Sequence, residues 1–304
     1  MKKQTPIYVQ TQINTSMEEL WKYTQQPELH TEWDVRFTEI SYLEKKEDEP
    51  QQFLYKTKIG FGLEIAGKGE TIGEVQQKTG ERVSSLKFWT DHPLSLIRLG
   101  RGYWKYTPVE NSIQFETQYN YETNFGKLGK VMDAWLFRPL LGWATAWSFE
   151  ALKLWLEKGY HPKLLLQKSL TYSFVCVLLS FIWIYQGLVP KIITVHPEEV
   201  KMLRSLASLP IDAGTAIRLV GGGEIAFGLL WLLPFQKRKW FLFHAMLIGV
   251  MTLLVWVANP ASFVHPFNPL SLNVALVLIS IIGYFNSSDL PQPSKTVRKR
   301  KGMK

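Results

Sequence analysis

Ile7, Val9 and Ile13 alternate with polar neighbours in PIYVQTQIN (Pro6–Asn14), and this period of two predicts an opening β-strand. Ser16 then precedes Glu19 by three residues, the spacing of a capping box, so a helix is expected to start there. Leu20, Trp21 and Tyr23 supply its apolar surface, and Pro27 ends it. Glu28–Val35 (ELHTEWDV) reads as a second short helical or irregular piece around Trp33. From Glu39 to Tyr121 the period is again two. Ile40 and Tyr42, then Phe53, Tyr55 and Ile59, then Leu86 and Phe88, mark one face of successive strands. Trp104 and Tyr106, then Ile113, Phe115, Tyr119 and Tyr121, continue it, with turns at Asp48–Pro50, Lys78–Gly80 and Pro108–Asn111. Strands in hairpin succession predict an antiparallel sheet. A long helical segment follows from about Lys130 to Lys158, with a break or kink near Pro139. Met132, Trp135, Leu136, Trp143, Trp147, Leu152, Trp155 and Leu156 give it a broad apolar face.

The pattern then changes character. Ser169–Val189 carries no charged side chain over 21 residues. As a helix it is about 30 Å long, enough to cross the hydrocarbon core of a bilayer. Gly214–Phe235, Trp240–Ala258 and Pro269–Phe285 read as three more spans. Between the first two spans, Glu198–Ala207 (EEVKMLRSLA) is short and amphipathic, suited to the outer interface.

Charge orients these spans. The chain of 304 residues has a net charge of +9, but its basic residues sit beside the apolar spans and at the C-terminus, which suits anionic lipid better than nucleic acid. The second loop contains Lys237, Arg238 and Lys239 without an acid. The tail carries Lys295, Arg298, Lys299, Arg300, Lys301 and Lys304 with no acid beyond Asp289, while the first loop is balanced. The positive-inside rule puts the second loop and the tail in the cytoplasm, and an even number of spans puts the polar first half there too. The tail itself reads as disordered polar chain on anionic lipid. Two lysines open the chain with no apolar run behind them, so no cleaved signal peptide is expected. The single Cys176 allows neither an intrachain disulfide nor a cysteine-based metal cluster.

Candidate chemistry is sparse. His30, Glu32 and Asp34 cluster in one segment. A His between carboxylates can do acid/base work, but a solvated loop is the commoner meaning of such a cluster. No nucleophile elbow, metal-ligand spacing or phosphate loop is present, and Gly221–Gly223 lies inside an apolar span. No catalytic or metal-binding residue is therefore assigned, and a non-enzymatic role is favoured. Glu224 is the most informative residue. A carboxylate at bilayer depth costs at least about 2–3 kcal/mol, so it should face the bundle and be paired or protonated. Arg218 lies on a different helix face. Gln186, Tyr185, His244 and Asn273 are the candidate partners, and Lys191, Asn273 and His265 are candidates for a polar pocket facing outward. One role is a proton or quinone-headgroup site. The other is a structural hydrogen bond between helices beside small residues that permit close packing.

Two family resemblances follow. The opening strand, SMEELWKYTQQPELHTEWD (Ser16–Asp34), the strand series and the long closing helix resemble the START-like helix-grip superfamily, also called polyketide cyclase or SRPBCC, over about Pro6 to Gly159. That resemblance implies a cavity between sheet and helix for a hydrophobic ligand. Tyr55, Phe88, Trp104, Phe115, Thr117 and Tyr119 are then either plain core or pocket lining, and a pocket needs a few convergent polar groups among apolar walls. In the second half, IWIYQGLVPKI (Ile182–Ile192), HPEEV, GGGEIAFGLLWLLP (Gly221–Pro234) and PFNPLSLN (Pro266–Asn273) resemble the DoxX-like family of four-helix membrane proteins. This implies a tie to respiratory or thiol redox chemistry, without implying catalysis by this chain.

The expected architecture is an α+β helix-grip lobe over residues 1–160 and a short linker, 161–168. An all-α four-helix transmembrane bundle, 169–287, and a basic cytoplasmic tail, 288–304, follow. The primary reading is a cell-membrane protein whose cytoplasmic lobe holds a lipid- or quinone-like molecule. The alternative is a membrane subunit of a quinone-linked or thiol redox complex, in which Glu224 and its neighbours bind a quinone headgroup or relay a proton while a partner holds the redox centre; Glu224, Gln186, Asn273 and Lys191 are the intramembrane polar candidates. Expected partners are membrane lipids, a hydrophobic small molecule or a membrane redox protein, and no nucleic acid. The Trp-rich stretch Trp135–Trp147 either touches the membrane interface or packs on its own sheet, and packing is favoured.

Overall fold

Strand β1 (Ile7–Ile13) buries Ile7, Val9, Thr11 and Ile13 on one face while Gln12 is exposed on the other, and the chain then turns at Ser16 into helix α1 (Met17–Gln25). The Ser16 hydroxyl accepts from the Glu19 backbone N–H at 3.1 Å. The Glu19 carboxylate closes on the Thr15 hydroxyl at 2.7 Å rather than on the cap's own N–H, so half of the expected capping box forms. Pro27 opens helix α2 (Pro27–Trp33), where its missing N–H costs nothing. These elements belong to a computed structural model that describes residues 5–45, 49–60, 62–206, 210–266 and 268–300.

Strands β2 (Glu39–Tyr42), β3 (Gln52–Gly60), β4 (Leu63–Gln76), β5 (Arg82–Trp89), β6 (Ile97–Val109) and β7 (Ser112–Thr123) complete a sheet of seven, antiparallel throughout. Its order is β1-β7-β6-β5-β4-β3-β2, a meander closed by the first strand. The expected antiparallel sheet is present. The alternation did not reveal β4, because glycines at 67 and 69 take two of its inward positions and erase the apolar signal. The turn expected at Asp48–Pro50 begins outside the described residues.

Helix α3 (Gly126–Met132), a π-helical turn (Asp133–Phe137) and helix α4 (Arg138–Lys158) form one run. The irregularity expected at Pro139 lies one turn earlier, in the π segment, and Pro139 itself stands in the first turn of α4. The C-terminal half of α4 packs on the sheet: Phe149 stacks on Phe115 at 4.4 Å between ring centroids. Trp33, Tyr106, Ile13, Leu20 and Leu152 fill the same core. The broad apolar face of this helical run is therefore split. Trp147 is buried as expected, but Trp135 is 85% exposed and Trp143 is also exposed.

This lobe forms one unit, Met1–Leu165 with Pro291–Lys304. Over residues 291–300 the tail is not the disordered segment expected from its composition. Val297 bridges to Gln10 of β1, with backbone N···O distances of 3.0 and 2.9 Å, and so covers the sheet edge.

The second unit, Leu166–Leu290, is helical. It holds most of α5 (Pro162–Gln186) and its π-helical extension (Gly187–Ile193), then α6 (Pro197–Leu206), α7 (Ala213–Leu230), α8 (Arg238–Ala258) and α9 (Pro269–Asn286). Four of these helices, α5 with its extension, α7, α8 and α9, are long and apolar enough to cross a membrane, as the sequence predicts. Helix α6 is the expected amphipathic stretch, although Ala207 lies outside the described residues.

Candidate functional site

The pairing register puts Tyr55, Phe88, Trp104, Phe115, Thr117 and Tyr119 on one face of the sheet, the face that meets α4. That face has two halves of different height. Toward β1, side chains stand up. Phe115 is fully buried between Phe149 and Tyr106, and Trp104 packs near Phe115 and Trp33. This half is plain core.

Toward β3, the rings lie down. Tyr55 faces Gly67, Phe53 faces Gly69 and Phe88 faces Gly100 across the strand pairs. A Cβ at Gly67 would stand 2.3 Å from the Tyr55 ring, one at Gly69 2.2 Å from the Phe53 ring, and one at Gly100 2.1 Å from the Phe88 ring. Each ring thus occupies the place of a missing side chain, flat on the sheet. Phe53, Leu86 and Phe88 on this lower half remain half-buried.

The polar groups on this face, Tyr55, Thr117 and Tyr119, converge only in part. The Thr117 hydroxyl donates to the Tyr103 carbonyl at 3.0 Å and is spent on the backbone. The Tyr119 hydroxyl meets the Thr145 hydroxyl of α4 at 2.7 Å. The Tyr55 hydroxyl reaches the Trp89 carbonyl at 3.4 Å, and burial pushes its pKa up to about 12. Both tyrosines are therefore neutral donors at physiological pH.

The residue that sequence reasoning missed is Arg36. Its guanidinium lies 5.5 Å from the ring centroids of both Phe37 and Tyr119, and Phe37 in turn packs on Tyr55. Arg36 is held by Asp34 through Nε at 2.8 Å and Nη2 at 2.5 Å, and His30 Nε2 meets the same carboxylate at 3.1 Å. The solvated loop expected for His30, Glu32 and Asp34 is thus replaced by helix α2 and a fully buried Asp34. Burial alone would raise the Asp34 carboxyl. The charge and hydrogen bonds of Arg36, with help from His30, outweigh it and hold the carboxyl well below the usual range. Glu32 turns away, to Lys163 at 2.8 Å. The available signal was the cation in WDVRF, placed among aromatics directly after the helix.

In the helical unit Glu224 does face the bundle, but its partner is Lys191. The Lys191 ammonium stands 3.1 Å from Glu224 Oε2, by charge rather than in hydrogen-bond alignment, and 3.4 Å from Glu199 of α6. None of the expected partners is the one that meets the charge. His244 is fully buried between the indole N–H of Trp183 at 2.9 Å and the Ser280 hydroxyl at 2.6 Å. Asn273 donates to Thr252 at 2.8 Å, and Tyr185 is exposed. Gln186 ends α5, one residue before Gly187, the residue whose backbone meets α7. Lys191 was singled out for a polar pocket and not as the counter-ion. A π-helical turn between Gly187 and Ile193, containing Pro190, shifts its register and turns it inward. Among the described residues no group of His, Cys, Asp and Glu could hold a metal ion.

Residues 180–281 match the DoxX-like family. The uncharacterized membrane protein YndG of Bacillus subtilis (strain 168) is 43% identical over 300 residues, which span 98% of this chain and 99% of that protein. Among solved structures, the Zhui aromatase/cyclase of Streptomyces sp. R1128 is 8% identical with a TM-score of 0.38, over 52% of this chain and 98% of that one. The STAR-related lipid transfer protein of Xanthomonas axonopodis is 12% identical with a TM-score of 0.33, over 41% and 75%. DR_A0006 of Deinococcus radiodurans is 11% identical with a TM-score of 0.35, over 51% and 100%.

Proposed function

Given that this chain belongs to the family of the Bacillus subtilis membrane protein YndG, and joins a START/polyketide-cyclase-like lobe to a DoxX-like domain, we propose that it is a membrane-anchored binding protein for a hydrophobic molecule. The observation that carries this reading is the lower half of the inner sheet face. Three rings flat on glycines, with Phe53, Leu86 and Phe88 half-buried, leave apolar surface that the fold itself does not cover. Uncovered apolar surface of this kind favours a ligand by about 25 cal/mol per Å² buried. Arg36, beside Tyr119, borders it and offers guanidinium donors to a polar end of the ligand. Tyr55 and Phe88 are the wall residues. Trp104, Phe115 and Thr117 belong to the filled half and support the wall.

The lobe and its tail face the cytoplasm in this reading. The basic loop Lys237–Lys239 supports that orientation. The bundle anchors the lobe, and Glu224 is a structural ion-pair partner of Lys191.

Native mass spectrometry of the full chain from mild detergent, followed by lipid extraction, tests the proposal. A hydrophobic molecule should be retained at one per chain. It should be lost in Leu86→Trp, which fills the low half from its own surface. Absence of any such molecule, or equal retention by Leu86→Trp, overturns the reading.

A further inference from the structure

At one end of the sheet lie the β3–β4, β5–β6 and β7–α3 connections, and at the other the β4–β5 and β6–β7 turns. The two ends differ in chemistry. The second carries exposed polar residues, Asn14, Ser16, Glu110 and Asn111, beside the exposed Val75 and Val109. The first carries Ile59, Leu94, Leu128, Val131, Trp135 and Leu136, each more than half exposed. The exposed residues of α3 and the π turn are apolar apart from two lysines, Lys127 and Lys130. The one acid of α3 and the π turn, Asp133, is fully buried and held by Tyr121 at 2.6 Å and Arg138 at 2.8 Å; of the exposed acids near this end, Glu122 is paired with Arg98 and Asp91 lies in the β5–β6 connection.

What covers this end follows from its chemistry and from the tether: the lobe is joined at Leu165 and again at Pro291 to the unit that holds the four apolar helices.

From these observations we infer that the apolar end of the lobe, centred on Trp135, is a membrane-docking surface. It inserts at the headgroup boundary of the bilayer that the spans cross, with Lys127 and Lys130 on anionic lipid phosphates. A helix face of tryptophan and aliphatic residues flanked by lysine is the composition of an interfacial helix. Binding is reinforced because the lobe is tethered at both Leu165 and Pro291, which makes insertion an intramolecular step. This inference goes beyond the binding reading and does not depend on it.

The test is site-directed spin labelling of the full chain in nanodiscs of phosphatidylcholine and phosphatidylglycerol. The label is carried by Trp135→Cys, by Leu128→Cys or, as the water reference, by Val75→Cys. The unmodified chain, whose single Cys176 is buried, supplies the blank. Labels at 128 and 135 should collide with oxygen and be shielded from a water-soluble nickel chelate, whereas the label at 75 should show the reverse. Lys127→Glu with Lys130→Glu should raise nickel access at 135. Nickel access at 135 equal to that at 75 overturns the inference. Shielding from both reagents also overturns it, since a protein surface would then be the occupant. The label reads membrane contact alone: an empty lobe that inserts overturns only the binding reading, and a loaded lobe that stays in water overturns only the docking.

Discussion

Lys191 and Glu224 meet across the first two spans of the bundle, Nζ to Oε2 at 3.1 Å, where Gly187 and Gly221 bring the two backbones together. A Cβ at Gly187 would stand 2.4 Å from the Gly221 carbonyl oxygen, so the pair sits at a contact that only glycine permits.

Removing one partner should leave an uncompensated charge in the bundle. Lys191→Met is expected to destabilise the helical unit by about 3–5 kcal/mol, and the double variant Lys191→Met, Glu224→Gln by less. Thermal unfolding in nanodiscs measures both. Quinone binding that disappears in Glu224→Gln at unchanged stability would instead favour the redox alternative.

The two halves of the inner sheet face should respond differently to truncation. Phe115→Ala opens a cavity beside Phe149 in a closed core and should cost about 3–5 kcal/mol in urea unfolding of the lobe. Phe88→Ala removes a half-buried ring over Gly100 and should cost less than half as much while lowering ligand retention. Equal costs would mean that both halves are core.

Asp34 makes the lobe sensitive to acid. Its carboxyl ionises below its unfolded value of about 3.9, so the stability from its pair with Arg36 is fully present above that pH. That stability is lost as the pH falls further, toward the lower folded value. Circular dichroism between neutral pH and pH 2 (roughly the acid limit of such a titration) should show it, and Asp34→Asn should remove that slope and lower stability at neutral pH.

The tail covers a sheet edge. Deletion of residues 291–304 uncovers the Gln10 N–H and carbonyl of β1, and the loss of two backbone hydrogen bonds should cost about 1–3 kcal/mol. Hydrogen exchange at Gln10 should accelerate while exchange at Phe115 does not. Unchanged protection at Gln10 would show that the bridge contributes nothing in solution.

Much of this architecture was legible because it depends on short-range periodicity. The alternation in β1, β6 and β7, the cap at Ser16 and the four apolar runs each reflect interactions between residues a few positions apart. The strand β4 was not legible because its inward positions at 67 and 69 are glycine, and their packing partners, Tyr55 and Phe53, are supplied by another strand. The tail's order was not legible either, since a basic, proline-containing segment has no pattern of its own and takes its structure from the Gln10 edge.

The same division holds at the candidate sites. Sequence alone determined that Glu224 must be compensated, because a lone carboxylate in hydrocarbon is costly wherever it sits. Which cation does so depended on a π-helical turn that rotates Lys191 inward, a matter of helix register rather than of residue type. Sequence also determined that Tyr55, Phe88, Phe115 and Tyr119 share a face, because side chains alternate along a strand. Only the tertiary structure decided that Phe115 stands against Phe149 while Phe88 lies flat on Gly100. The space above a residue is set by what its neighbouring strand and the overlying helix supply. For the same reason, whether Trp135 and Trp147 were core or surface was decided by the length of helix that the sheet can cover.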